Sequence, residues 1–198
     1  MVSEKIRCPW CLADKDYTRY HDREWGVPLK NSRKLLEFLI LDGAQAGLSW
    51  LTILKRREGY RKAFDGFDPE KIARYGEKDT ERLLADSGII RNRLKIRSAV
   101  ENARAYLKME ESGENFAKWL WNRVDGKPVV NHWKTLAEIP ASTELSEGIS
   151  RDLKKKGFSF VGPTIIYAFL QAAGLVNDHL VDCYRWAELG GAGRQART

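Results

Sequence analysis

Apolar residues in this chain recur every third or fourth position and almost nowhere every second one, a pattern that commits the backbone to helices rather than strands. In NSRKLLEFLILDGAQAG, Leu35, Leu36, Leu39 and Ile40 follow an Asn or Ser cap. This predicts a helix over about 33–45 with Asp42 near its end. Ser49 caps the next segment, LSWLTILKRREGYRKAF, and Asp68 followed by Pro69 opens another. DTERLLADSGIIRNRLKIRSAVENARAYLKME predicts a short helix, a tight turn at Ser87–Gly88 and a longer helix from about Asn92. Further helices are expected over about 114–123, over 143–156 closed by Gly157, and over 163–173 between Pro163 and Gly174. The fold class is therefore all-α. No repeat or long linker divides the chain, so residues 1–186 are expected to form one domain and 187–198, poor in apolar side chains, a disordered tail.

With 198 residues of which 43% are hydrophobic, the chain can bury a core as one compact domain or two lobes sharing one. No run of eighteen apolar residues and no apolar core near the start indicate a membrane span or secretion, which places the protein in the cytoplasm. A net charge of +7 fits either a polyanionic partner or a solvated basic surface. The basic residues gather in LKRREGYRKAF, GIIRNRLKIRSA and RDLKKKGF, which would line one groove if the fold brought them together.

Three cysteines, at 8, 11 and 183, are too few and odd in number for a disulfide framework. A redox dithiol at Cys8-Pro9-Trp10-Cys11 would need a buried strand before it, and none is predicted. A metal site needs four nitrogen or sulfur ligands. His21 follows Cys8 by thirteen residues, and His179 and Cys183, four apart, can face one point across a helical turn. Such a closed set would be structural and would tie the two ends together; Cys11 is a fifth candidate. In the plainer alternative the histidines make ordinary hydrogen bonds and the cysteines are small buried residues.

Trp10, Tyr17, Tyr20, Trp25 and Trp50 lie beside polar or turn-forming residues. They would either fill a core or form a cage for a flat or cationic ligand, with the Asp42 carboxylate accepting hydrogen bonds from its amino groups. LLADSGIIRNRLKIRSA, flanked by Arg91, Arg93, Lys95 and Arg97, would point turn N–H groups and a helix N-terminus at a phosphate.

YHDREWGVP, AQAGLSWLTILKRRE, GIIRNRLKI, GFSFVGPTIIYAFLQAAGLVNDH and the final Cys183, in this order, resemble the DNA-3-methyladenine glycosylase I family, constitutive bacterial alkylation-repair enzymes of the helix-hairpin-helix glycosylase superfamily. The resemblance implies a bilobal all-α fold, a helix-hairpin-helix element at about 80–108, and one structural Zn2+ held by Cys8, His21, His179 and Cys183. It assigns no role to Cys11. The implied reaction is monofunctional hydrolysis of the N-glycosidic bond of 3-methyladenine in alkylated double-stranded DNA, with free base and an abasic site as products. Trp10, Tyr17, Tyr20, Trp25 and Trp50 match the positions that line the family's base pocket. Gly47 and Leu48 match the wedge loop, and Gly88, Ile89, Ile90 and Arg91 the hairpin that grips the backbone. Asp42, the catalytic residue that the resemblance implies, stands where the family usually has its base-reading glutamate, which draws the carboxylate back by roughly 1.5 Å. The wider superfamily's catalytic aspartate falls on Asn177, with Asp178 one place later, which argues against a bifunctional lyase. A non-catalytic binder of damaged DNA with the same hairpin is the alternative. A monomer without membrane contact is expected.

Overall fold

The computed structural model describes residues 5–191. Its helices are α1 (Lys15–Arg23), α2 (Ser32–Gln45), α3 (Trp50–Ala63), α4 (Pro69–Ile72), α5 (Glu77–Ala85), α6 (Arg93–Glu111), α7 (Phe116–Trp121), α8 (Glu144–Lys155), α9 (Pro163–Ala172) and α10 (Tyr184–Glu188). The boundaries follow local chemistry. The side chains of Asn31, Ser49, Asp68, Asn92 and Thr143 each accept a first-turn N–H of the helix they precede, and Pro69 and Pro163 occupy first helical positions.

Helix α2 organises the rest. Leu35, Leu36, Leu39, Ile40, Leu41 and Ala44 are buried on nearly every side of it, as expected of a helix surrounded by others. It packs against α3, α6, α7 and α9, while α8 covers α9 and α4 covers α6. Asp42 sits on this central helix and is 4% exposed.

Helices α5 and α6 are joined by a tight seven-residue connection that lies directly against α3. A Cβ on Gly59 of α3 would lie 2.4 Å from the Gly88 carbonyl oxygen, so only glycine permits this approach. The Ile90 N–H donates to the Tyr60 hydroxyl (3.2 Å), and the Asp86 carboxylate accepts the Gly88 N–H (2.7 Å). Two of the three basic segments therefore adjoin, whereas the third lies on α8 with Lys156 paired to Glu114.

Three features differ from the helical expectations. Helix α1 was not anticipated, because KDYTRYHDR is largely polar; Asp14 caps it and only Tyr20 and His21 are buried. Two parallel strands of two residues each, β1 (Val129–Val130) and β2 (Val176–Asn177), pair Val129 with Val176 and Val130 with Asn177. Helix α10 continues through Ala187 and Glu188, and the Gly191 N–H bonds to the Trp186 carbonyl, so residues 187–191 of the segment expected as a tail are ordered against α10. Residues 192–198 of that segment lie outside the described residues. Among the described residues no helix is long and apolar enough to cross a membrane.

Candidate functional site

A pocket of about 320 Å³ opens where α1, the end of α2, the start of α3 and α9 meet. All six residues expected in a cage or pocket line it: Trp10, Tyr17, Tyr20, Trp25, Asp42 and Trp50. The rings brace one another. Trp10 meets Tyr17 at 4.9 Å and Trp25 at 5.1 Å, both edge to face, and Tyr20 meets Trp50 at 5.5 Å. Gln45, Leu136, Ile139, Ala168, Gln171 and Ala172 complete the wall and were not anticipated. Gln171 is the one amide in the apolar run of α9, a signal that helical spacing alone does not interpret.

Two buried polar atoms in this wall lack a hydrogen-bond partner among the described residues, Asp42 Oδ2 and Trp50 Nε1. An unpaired acceptor and an unpaired donor are costly to bury, and here both border an open cavity. Burial alone pushes the Asp42 carboxyl well above the usual carboxylate range.

Beside the pocket, Cys8, His21, His179 and Cys183 converge, all buried, with their ligand atoms within 4.8 Å of one another. Cys183 Sγ lies 3.4 Å from His21 Nε2 and 3.6 Å from His179 Nδ1; Cys8 Sγ lies 3.6 Å from His179 Nδ1. Around a tetrahedral zinc, sulfur and nitrogen ligands would be about 3.3–3.8 Å apart, so the spacing fits. The tautomers fit as well. His21 Nδ1 lies 2.9 Å from Asp22 Oδ1 and His179 Nε2 lies 3.2 Å from the Trp25 carbonyl, so each ring donates outward and turns a lone pair inward. Burial opposes ionisation of Asp22, but hydrogen bonds from Arg7, His21 and Tyr184 outweigh it and hold its pKa at about 2. Cys11 is not in the cluster. Its thiol donates to the Cys8 carbonyl (3.1 Å), and burial pushes its pKa up to about 11.

Gly47 adopts φ +77° in the turn between α2 and α3, and Leu48 at its tip is 40% exposed. On the α5–α6 connection, the N–H groups of Gly88 and Ile90 are already paired within the protein, and Ile89 is 3% exposed. Arg91 is exposed. Two neighbouring cations have other partners than a phosphate: Arg93 pairs with Glu77, and Lys95 Nζ donates to the carbonyls of Ala44 (2.8 Å) and Ala46 (2.6 Å). Lys95 thus ties α6 to the end of α2. Asn177, where the superfamily aspartate would fall, donates to the carbonyls of Trp186 and Leu189 and accepts the His179 N–H.

The profile of the methyladenine glycosylase family matches residues 10–186. The chain belongs to the methyladenine glycosylase family. It is 55% identical to DNA-3-methyladenine glycosylase 1 of Escherichia coli, over 89% of this chain and 95% of that protein. A crystal structure of 3-methyladenine DNA glycosylase I superposes with a TM-score of 0.89 at 53% identity, covering 90% of this chain and 98% of that one. Another family structure, a tyrosine-to-phenylalanine variant in complex with 3-methyladenine, superposes with a TM-score of 0.86 at 40% identity, covering 90% of this chain and 96% of that one.

The raised Asp42 pKa makes a prediction about stability. The native fold holds this proton more tightly than the unfolded chain, so the group's contribution is fully present below the unfolded value near 3.8 and is lost as pH rises through the higher native value. Asp42→Asn is neutral throughout. Its melting temperature is expected to exceed the parent's near pH 7 and the gap to narrow towards pH 4; a gap independent of pH would show that Asp42 does not titrate in this way.

Proposed function

We propose that this methyladenine glycosylase excises 3-methyladenine from alkylated double-stranded DNA as a monofunctional enzyme, leaving an abasic site. The observation that carries this reading is the pair of unpartnered groups, Asp42 Oδ2 and Trp50 Nε1, facing an aromatic pocket large enough for a purine. A flat base with an exocyclic amine and ring nitrogens supplies the missing donor and acceptor. The curated relatives carry the same activity in their names, and one solved relative was obtained with 3-methyladenine.

To reach this pocket the nucleotide must leave the stack, at a cost of a few kcal/mol that is smaller for a damaged base. Leu48, at the exposed tip of the Gly47 turn, would fill the gap, and the connection from Gly88 to Arg91 would hold the backbone. The methylated base is cationic, so its glycosidic bond is already weakened. As that bond breaks, its electron pair goes to the base nitrogen, water adds to the anomeric carbon, and the proton that the water loses passes to solvent. Before cleavage the positive charge of the extruded base favours the ionised form of Asp42, and the rings hold the base as it leaves neutral. Among the described residues no lysine lines the pocket, in keeping with hydrolysis rather than a Schiff base.

Cys8, His21, His179 and Cys183 are proposed to hold one structural zinc ion, since a set of four protein donors leaves no position open for substrate. The ion would supply cross-linking of the two ends of the chain and no chemistry at the base. The protein is proposed to act as a monomer.

Liquid chromatography of bases released from methylated DNA tests the activity. The parent is expected to release 3-methyladenine, and Trp50→Ala to lose far more excision than affinity for undamaged DNA, stacking being worth ~1–3 kcal/mol. DNA binding without release would leave a damage-binding protein, and equal losses on both counts would make Trp50 a packing residue only. Cys183→Ser is expected to hold less than one zinc per chain and to melt lower by well over the ~0.5 kcal/mol of a surface change. Unchanged metal content by elemental mass spectrometry would remove Cys183 from the ligand set.

A further inference from the structure

Asp178 is 1% exposed and lies one residue past the register of the superfamily aspartate. Its carboxylate gathers donors from two separate segments, the stretch after β1 and helix α9. Asn131 Nδ2 (2.7 Å) and Trp133 Nε1 (2.9 Å) donate to Oδ1, and the Tyr167 hydroxyl and Gln171 Nε2 (2.7 Å) donate to Oδ2. The indole of Trp133 can only donate, and burial together with the bond to Asp178 keeps the Tyr167 hydroxyl protonated. With two donors on each oxygen the carboxylate acts as an acceptor throughout, so Gln171 must turn its NH2 towards it. That fixes the other end of the amide. Gln171 lines the base pocket, and among the described residues nothing donates to its Oε1.

We infer that Gln171 is a specificity-determining residue of the pocket, its side-chain carbonyl held by Asp178 as a fixed acceptor for the exocyclic amine of the extruded base. The inference rests on the glycosylase reading above and deepens it. Asp42 alone discriminates poorly, because a carboxyl that can carry a proton can serve a base as either donor or acceptor. Gln171 has no such freedom while Asp178 holds its NH2. A 6-amino purine satisfies the carbonyl, whereas a 6-oxo purine brings oxygen against oxygen and leaves both buried without a donor. Asp178 is in this scheme a positioning residue that never touches the base.

The test is a titration of intrinsic tryptophan fluorescence with two free bases, 3-methyladenine and its 6-oxo counterpart 3-methylhypoxanthine. The parent is expected to prefer 3-methyladenine. Gln171→Leu, which keeps the volume and drops the amide, should reduce that preference about fivefold or more without weakening 3-methylhypoxanthine. Asp178→Asn, whose NH2 can donate to Gln171 Oε1 and turn the amide round, should reduce it further, and Asp178→Glu should restore part of it. If Asp178→Asn does not fold, Gln171→Leu decides alone. An equal loss for both bases would reduce Gln171 to a space-filling role and overturn the inference. An unchanged preference in Gln171→Leu, with 3-methyladenine still bound, would overturn it and leave the glycosylase reading intact. A parent that binds neither base would overturn both.

Discussion

The convergence of Cys8 and His21 with His179 and Cys183 is the constraint on which the site depends, because it pins the start of the chain to its far end. The pinned segment carries most of the aromatic wall. Trp10 stands in the turn immediately after Cys8, Tyr17 and Tyr20 lie on the helix that presents His21, and Trp25 packs edge to face on His179 at 4.5 Å. Positions adjoining the ligands are used as well: Asp22 orients His21, Asn177 ties α10 to the β2 segment, and Asp178 reaches α9. These two cysteines and two histidines and their immediate neighbours thus fix one side of a pocket whose other side comes from the centre of the molecule.

That other side is Asp42, a carboxylate on a helix buried all round. A residue in this position works against the fold, since its burial favours the neutral form and one oxygen is left without a partner. The surrounding core carries this cost because α2 is packed by four helices and its end is tied down by Lys95. A strained or unsatisfied group maintained by a rigid surround is the usual balance between stability and activity at a binding site.

The helical architecture was legible because its signals are local. Asn31, Ser49 and Asp68 cap the helices they were expected to cap, α6 starts where a helix from about Asn92 was expected, and Pro163 and Gly174 bound α9 as the pattern implies. Helix α1 leaves no aliphatic stripe to read: its burial comes from Tyr20 in the main core and from His21 in the Cys/His cluster. The aromatic residues could be grouped by their polar neighbours, but the pocket they line is completed by Ala168, Gln171 and Ala172 of α9, more than a hundred residues away. Lys95 shows the limit most clearly. In sequence it belongs to a basic run facing phosphate, whereas in the fold its ammonium closes the end of another helix, a role set by two carbonyls some fifty positions away.

The unpartnered Asp42 carboxylate is proposed as the point where the methylated base is recognised, and calorimetric titration of free 3-methyladenine into the parent and Asp42→Asn is the decisive measurement. Leaving a buried polar group without its partner costs about 1–3 kcal/mol, so a Kd roughly five- to a hundredfold weaker is expected for Asp42→Asn. Equal affinity in the two proteins would place recognition elsewhere in the pocket and contradict the account.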